Sequence, residues 1–281
     1  MSSLTNKDLC FFRENGYLIL NNIFSTEQLE GIKNYYIKVL SCLVSRAKIK
    51  YPRYKNIDVS LDISEMLVFL ENVDHDYISQ FYEFMPMGCN PYVANLSSSE
   101  KVLNCVNALL MKPLDNPLFI TSGSSLFAVP NDEKYTANQW HSDVFYSIAD
   151  SEYIQIWAPL ISDIPESLGA LHIMPNSHKD PFKGETINPS RTDSNIHKYV
   201  VSGGLTEEYG DKVISLKLGQ CLFFDKHLVH RGGDNVSKQT RFSLVGVYHS
   251  VSNDDFLPYP LAHPKSPVSA DEYFDKVRSK K

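Results

Sequence analysis

The chain of 281 residues is short of the features that betray a specialised class by composition. It has no Cys-x-x-Cys pair; its five cysteines, Cys10, Cys42, Cys89, Cys105 and Cys221, are odd in number and far apart. That argues against a disulfide framework or a zinc ribbon and leaves buried thiols in a reducing compartment as the expectation. No apolar run approaches the length of a membrane span. Residues 1–15 carry Lys7, Asp8, Arg13 and Glu14 and lack the apolar centre of a signal peptide. The expected compartment is the cytoplasm, with no membrane as partner. A basic stripe is missing too, and the net charge of −6 makes nucleic acid a poor partner. The 13 glycines and 15 prolines are scattered, so there is neither a low-complexity block nor a repeat. With 43% hydrophobic and 21% charged residues, the chain has the balance of a globular protein large enough to bury one sizeable core.

What is present changes texture near Pro113. Before it the pattern is helical. Residues 5–15 predict a short helix capped by Thr5 or Asn6 and stopped by Gly16, and residues 17–20 a strand. Ser25 opens a longer helix with Gln28 in capping-box position, and Leu29, Ile32, Tyr36, Val39, Leu40 and Leu43 recur at helical spacing. Residues 48–62 are polar and irregular; further helix is expected at 64–72, 76–84 and 98–111. After Pro113, short β-branched and aromatic segments predict strands at 118–120, 125–129, 139–141, 153–159, 170–174, 198–201, 213–216, 221–224 and 241–249. Many short strands without alternating helices favour an antiparallel jelly roll. The expected class is therefore mainly β with flanking helices. One domain is expected over 1–281: residues 1–111 as mainly helical support, 112–251 as jelly-roll core and 252–281 as a C-terminal extension. Residues 180–211 form a long polar insertion of the kind that covers a site or stays mobile.

The chemistry concentrates in Gln139-Trp140-His141-Ser142-Asp143. On an extended strand alternate side chains share a face, so His-x-Asp would present an imidazole and a carboxylate together. His230 stands 89 positions after His141, in His227-Leu228-Val229-His230-Arg231-Gly232-Gly233, and Arg241 follows eleven residues later. Two histidines and one carboxylate, with the other coordination positions open, are the ligand set of non-haem iron(II) oxygenases. Manganese and cobalt accept the same donors, whereas a structural zinc would take four ligands, thiolates among them. His227 competes with His230; the arginine spacing and the Gly-Gly pair favour His230. His172 reads as a satisfied strand histidine and His178 as a turn residue. His75, His197, His249 and His263 carry no motif and read as surface or structural residues.

These segments together resemble the phytanoyl-CoA dioxygenase-like family of iron(II)/2-oxoglutarate-dependent oxygenases over nearly the whole chain. Phe12-Arg13-Glu14-Asn15-Gly16-Tyr17-Leu18-Ile19-Leu20 is similar to the family's opening helix and strand. Trp157-Ala158-Pro159-Leu160, then Gly169-Ala170-Leu171 and Met174-Pro175-Asn176-Ser177-His178-Lys179, are similar to its Gly-x-Leu…Pro-Gly-Ser-His-Lys signature, with Asn176 in place of the usual glycine. Gly219-Gln220, His230-Arg231-Gly232-Gly233-Asp234-Asn235-Val236-Ser237 and Arg241 resemble its distal-histidine segment. The resemblance implies a double-stranded β-helix, a cupin-like jelly-roll barrel, with iron held by His141, Asp143 and His230. It implies Arg241 as the partner of the distal carboxylate of 2-oxoglutarate, with Ser243, on the same strand face, as a second donor. An arginine fork matches a carboxylate bidentately, which a lysine cannot do.

The expected function is then that of an iron(II)- and 2-oxoglutarate-dependent dioxygenase. It would use O2 to hydroxylate an aliphatic C–H bond of a small or medium-sized molecule, releasing succinate and CO2. Asp143 disfavours halogenation, since related halogenases have a small residue there. Desaturation, cyclisation or epimerisation would use the same chemistry. From other classes, a catalytically silent jelly-roll binding protein and a cupin-like metal isomerase remain as alternatives; the complete ligand set speaks against the first, and Arg241 with Ser243 against the second. Gln139 shares a predicted strand face with His141 and is a candidate for the cosubstrate. Phe145, Tyr146, Gln155 and Trp157 are substrate-contact candidates by position, Trp157 being equally well placed as a core aromatic. Lys183, Arg191 and Lys198 are insertion charges able to meet an acidic substrate, or simply solvated.

Overall fold

A computed structural model describes residues 4–87, 90–130, 139–146, 148, 151–187, 199–252, 265–266, 268–269, 272–273, 275 and 279, without the side chains at 80, 83–84, 86–87, 145–146, 187 and 199. Cys89, Arg191, His197, Lys198, His263 and most of the C-terminal extension lie outside the described residues.

Helix α1 (Asn6–Asn15) is closed at its start by a capping box between Thr5 and Asp8 and ends on Gly16 at φ 78°. The left-handed turn needs glycine, and a Cβ there would lie 2.4 Å from Nδ1 of His178. The chain enters β1 (Tyr17–Leu20) and then α2 (Thr26–Lys50), opened by the Ser25–Gln28 capping box. One stripe of α2 buries Leu29, Ile32, Tyr36, Leu40, Val44 and Ala47, each large side chain contributing about 1.5–3 kcal/mol by leaving water. Helices α3 (Ile63–Val73), α4 (His75–Met87), α5 (Pro91–Ser97) and α6 (Glu100–Leu109) complete the N-terminal layer. Asn90 caps α5, which lies outside the predicted helices, while the helix predicted at 98–111 is α6.

The strands that follow are β2 (Leu118–Ala128), β3 (Tyr153–Pro159), β4 (Leu171–Ile173), β5 (Glu185–Ile187) and β6 (Tyr199–Val201). After a short helix α7 (Thr206–Tyr209) come β7 (Lys212–Ile214), β8 (Cys221–Asp225), β9 (His230–Gly232) and β10 (Arg241–Ser250). They form a five-stranded antiparallel sheet β1-β8-β3-β10-β2, a three-stranded sheet β7-β4-β9 and the hairpin β5-β6. One face of the large sheet, with Ile154, Ile156, Ala158, Phe242, Leu244 and Tyr248, packs against the helices. The opposite face, with Trp157, Leu222 and Phe224, meets Leu171, Ile173, Ile214 and Leu216 near the small sheet. The site lies at this inter-sheet layer.

Three expectations change. The protein is mixed α and β rather than mainly β, because the helices cover one whole face of the large sheet, and the sheets do not close into a barrel among the described residues. Strands 118–120 and 125–129 are one strand through Gly123, where a Cβ would come within 3.0 Å of Ser97 Oγ. The glycine marks close passage under α5, not a break. The 180–211 insertion carries the β5-β6 hairpin and α7, and Lys183 is taken up by Glu208 at 2.5 Å.

Candidate metal centre

His141 and His230 are brought together by backbone. Each donates its N–H to the other's carbonyl at 3.0 Å, an isolated antiparallel bridge 89 residues apart in sequence. The predicted strand 139–141 shrinks to this bridge, and Asp143 opens a 3-10 turn, Asp143–Tyr146. Strand alternation therefore does not bring the Asp143 carboxylate to the imidazoles; the curl of the chain after the bridge does.

His230 begins β9, paired with β4 through Ile173. The turn before it is held by Asp225, whose carbonyl accepts from Leu228 N–H at 3.0 Å and whose carboxylate accepts from His227 N–H at 2.8 Å. Beyond β9 the backbones of Gly233 and Ala170 touch; a Cβ on Gly233 would sit 2.4 Å from the Ala170 carbonyl oxygen. That contact explains the second glycine of the Gly-Gly pair. Asn176 sits at φ 68°, the left-handed region that glycine favours and asparagine tolerates.

The ligand atoms of His141, Asp143 and His230 lie within 4.8 Å of one another. Each histidine Nε2 is 3.5 Å from a different oxygen of Asp143. The Nδ1 atoms face away: that of His141 bonds the Gln139 carbonyl at 2.7 Å, that of His230 the Leu228 carbonyl at 3.0 Å. With Nδ1–H held by a carbonyl, each Nε2 turns a lone pair toward the shared space, the tautomer a metal requires. Burial works against a proton on His230, yet the hydrogen bond and charge of Asp143 outweigh it and its pKa is raised. The carboxylate thus draws positive charge into this space, and the donor set fits a divalent cation held by two imidazoles and one carboxylate, with further positions free.

Arg241 lies beyond the triad on the inner face of β10, 4% exposed. Its Nη1 donates to the Gly169 carbonyl, its Cζ stands 5.7 Å from the Trp157 ring, and burial lowers its pKa to about 10, so it stays charged at neutral pH. Its Nε has no hydrogen-bond partner among the described residues, and neither have Trp157 Nε1, Gln139 Oε1 or both amide atoms of Gln155. Buried polar atoms ordinarily find partners, so the orphaned atoms of the buried Arg241, Trp157 and Gln155 and of the half-buried Gln139 suit a polar occupant.

Among the other predicted site residues, Gln139 contributes its carbonyl to His141. Ser243 gives its hydroxyl proton to the Leu126 carbonyl at 3.0 Å, so in this arrangement that proton is committed within the fold. Trp157 is both core aromatic and neighbour of Arg241. The side chains of Phe145 and Tyr146 lie outside the described residues. His172 bonds Asp211 at 2.7 Å and His178 the Arg13 carbonyl at 3.1 Å, both away from the triad. Sequence reasoning missed the carbonyls of Leu228 and Gly169, because a backbone acceptor leaves no residue-type signal.

Helices backing an antiparallel sheet pair, with two imidazoles and a carboxylate converging beside a buried arginine, define the class of non-haem iron oxygenases. The chain belongs to the phytanoyl-CoA dioxygenase (PhyH) family, whose model matches residues 12–243, and it is an iron(II)/2-oxoglutarate-dependent oxygenase. It is 23% identical over 290 residues to phytanoyl-CoA dioxygenase domain-containing protein 1 of Danio rerio, covering 92% of this chain and 94% of that protein. Its fold is similar to that of EctD from S. alaskensis, solved with 2-oxoglutarate and 5-hydroxyectoine: TM-score 0.57, 15% identity, 94% of this chain and 82% of that one. It is also similar to the epimerase SnoN, solved with Fe3+, alpha ketoglutarate and nogalamycin RO: TM-score 0.55, 14% identity, 95% and 96% covered. No helix among the described residues is long and apolar enough to cross a membrane.

Proposed function

We propose that this protein hydroxylates an aliphatic C–H bond of a small or medium-sized organic molecule, with 2-oxoglutarate and O2 as cosubstrates and succinate and CO2 as products. His141, Asp143 and His230 hold the iron(II), and Arg241 binds the distal carboxylate of 2-oxoglutarate. The carrying observation is the convergence of the His141 and His230 Nε2 atoms on Asp143, together with a charged, buried Arg241 whose Nε has no hydrogen-bond partner among the described residues. A cation and a dicarboxylate complete both ends.

Iron(II) bound at the triad supplies the redox chemistry that couples oxidative decarboxylation of 2-oxoglutarate to oxidation of the substrate. The chain's own residues do the positioning. Gln139 and Leu228 fix the imidazole tautomers; Gly169 holds the guanidinium; Trp157 and Phe224 wall the space and exclude water, which strengthens every charge interaction inside it. The two facing sheets are read as the halves of a jelly roll, and the chain as one oxygenase domain over 1–281, with 1–111 as support, 112–251 as core and 252–281 as extension. The single core joining helices α2–α6 to the large sheet supports that reading.

The test is anaerobic titration of the iron(II)-loaded protein with 2-oxoglutarate. A visible charge-transfer band is expected in the wild type and is lost in His141→Ala and Asp143→Ala. A wild type that binds iron(II) but no 2-oxoglutarate would end this reading. Comparison of metabolite masses with and without the protein then separates hydroxylation, a gain of one oxygen, from desaturation or epimerisation.

A further inference from the structure

Gln155 occupies a position where a central strand favours an apolar side chain. Strand β3 lies between β8 and β10, and all seven of its residues are buried. Its outward residues Ile154, Ile156 and Ala158 pack into the helical core; Gln155 and Trp157 face the other way. Gln155 is 0% exposed, and neither its Nε2 nor its Oε1 has a hydrogen-bond partner among the described residues. An amide stripped of water with none of its hydrogen bonds replaced costs free energy in the empty protein. Valine or leucine would serve the fold better.

Its surroundings say what it is for. On β8 its register partner is Phe224, whose ring meets that of the ligand His230 edge-on at 5.1 Å. On β10 its partner is Val247. Two residues along β3 stands Trp157, against whose ring the Arg241 guanidinium lies at 5.7 Å. The inner faces of β3 and β10 therefore carry in a row polar atoms without partners among the described residues: the Gln155 amide beside the residue packed on a ligand, Trp157 Nε1 next, and on β10 Arg241 Nε beyond it. A dicarboxylate stretched between Arg241 and the triad runs along that row.

We propose that Gln155 is a positioning residue for 2-oxoglutarate, its Nε2 donating to the metal-proximal carboxylate while its Oε1, which no carboxylate can satisfy, faces the substrate. This moves Gln155 from substrate contact to cosubstrate holder, and it rests on the functional reading above. A glutamine suits the place because it donates without adding a second cation beside the triad, whereas a glutamate would repel the ligand.

The test uses Gln155→Met, close in size and without the amide, and Gln155→Glu. In the iron(II)-loaded protein, titration of the visible band with 2-oxoglutarate should give a Kd raised roughly tenfold or more in Gln155→Met, as for a lost hydrogen bond to a charged group, and further in Gln155→Glu. Iron(II) affinity in the absence of 2-oxoglutarate should match the wild type in Gln155→Met. The ligand-free Gln155→Met protein should melt no lower than the wild type, because it sheds two orphaned atoms; a purely structural glutamine would make it melt lower. A Kd within about twofold of the wild type in both variants overturns the inference, and so does a lowered melting temperature with unchanged Kd. If the wild type itself binds no 2-oxoglutarate, the functional reading falls. If the wild type binds and the variants bind equally well, only the role of Gln155 falls.

Discussion

The inner face of β10 carries a buried basic side chain at each end, and the two are provided for in opposite ways. At one end His249, 0% exposed, has both ring nitrogens engaged: Nδ1 with Ser151 Oγ at 2.5 Å and Nε2 with Thr121 Oγ1 at 3.0 Å. Thr121 reaches it as the extra residue of a β-bulge where β2 slips against β10. At the other end Arg241 is also buried, yet it has one carbonyl, one aromatic face and an Nε with no hydrogen-bond partner among the described residues. On this strand face the histidine that serves the fold has its hydrogen bonds completed, and the arginine assigned to a ligand keeps one donor without a partner among the described residues. Burial alone does not separate a structural residue from a binding one; satisfaction does.

That contrast can be broken from either end. The largest effect is expected from Arg241→Met: 2-oxoglutarate affinity falls roughly a hundredfold, from loss of a bidentate charged contact, while the ligand-free protein keeps its melting temperature or gains. Titration and calorimetry on one preparation check both. His249→Leu should do the reverse, leaving 2-oxoglutarate affinity unchanged and costing about 2–3 kcal/mol of stability as Ser151 and Thr121 lose their partner. Denaturant unfolding reads that cost, and a stable His249→Leu variant would refute the structural assignment.

Burial, with the nearby Lys226 charge, holds the His249 pKa down to about 4. The unfolded histidine titrates near 6.5, so this contribution is complete above that pH and is lost as pH falls toward 4. Between pH 8 and pH 5 it amounts to about 2 kcal/mol, seen as a drop in denaturant midpoint that His249→Leu should lack. The smallest effect belongs to Ser243→Ala. With its hydroxyl proton committed to Leu126, removing it should cost about 1 kcal/mol of stability and move 2-oxoglutarate affinity by no more than about threefold. A larger loss of affinity would return Ser243 to the carboxylate.

Much of the helical layer was legible because its signals are local. Thr5 and Gly16 bound α1, and Ser25 with Gln28 opens α2, each acting within one turn of its own position. The spacing of His141, His230 and Arg241, with the Gly-Gly pair between, pointed to a single centre for a similar reason: each marks an element's start or a close backbone contact. Less legible were features made by distant chain. Strand β2 read as two, 118–120 and 125–129, because the approach of Ser97 that explains Gly123 between them comes from another helix. Residues 139–141 read as a strand, although they make one isolated bridge to His230 and one hydrogen bond from Val201 N–H to the Trp140 carbonyl at 2.7 Å. In the insertion the second strand of the hairpin is predicted at 198–201, but its partner Glu185–Ile187 and α7 are not, since elements of three or four residues have too little pattern to register.

By itself the sequence determined the chemistry: which side chains can bind a metal and a carboxylate, and where helices start and stop, since these depend on residue type and near neighbours. Only the tertiary structure decided which face each group presents and whether it is satisfied. Leu126 takes up Ser243, Gly169 holds the Arg241 guanidinium, and the packing of β3 and β10 leaves the Gln155 amide and Arg241 Nε without a partner among the described residues, because contacts between residues far apart in the chain are settled by packing rather than by local pattern.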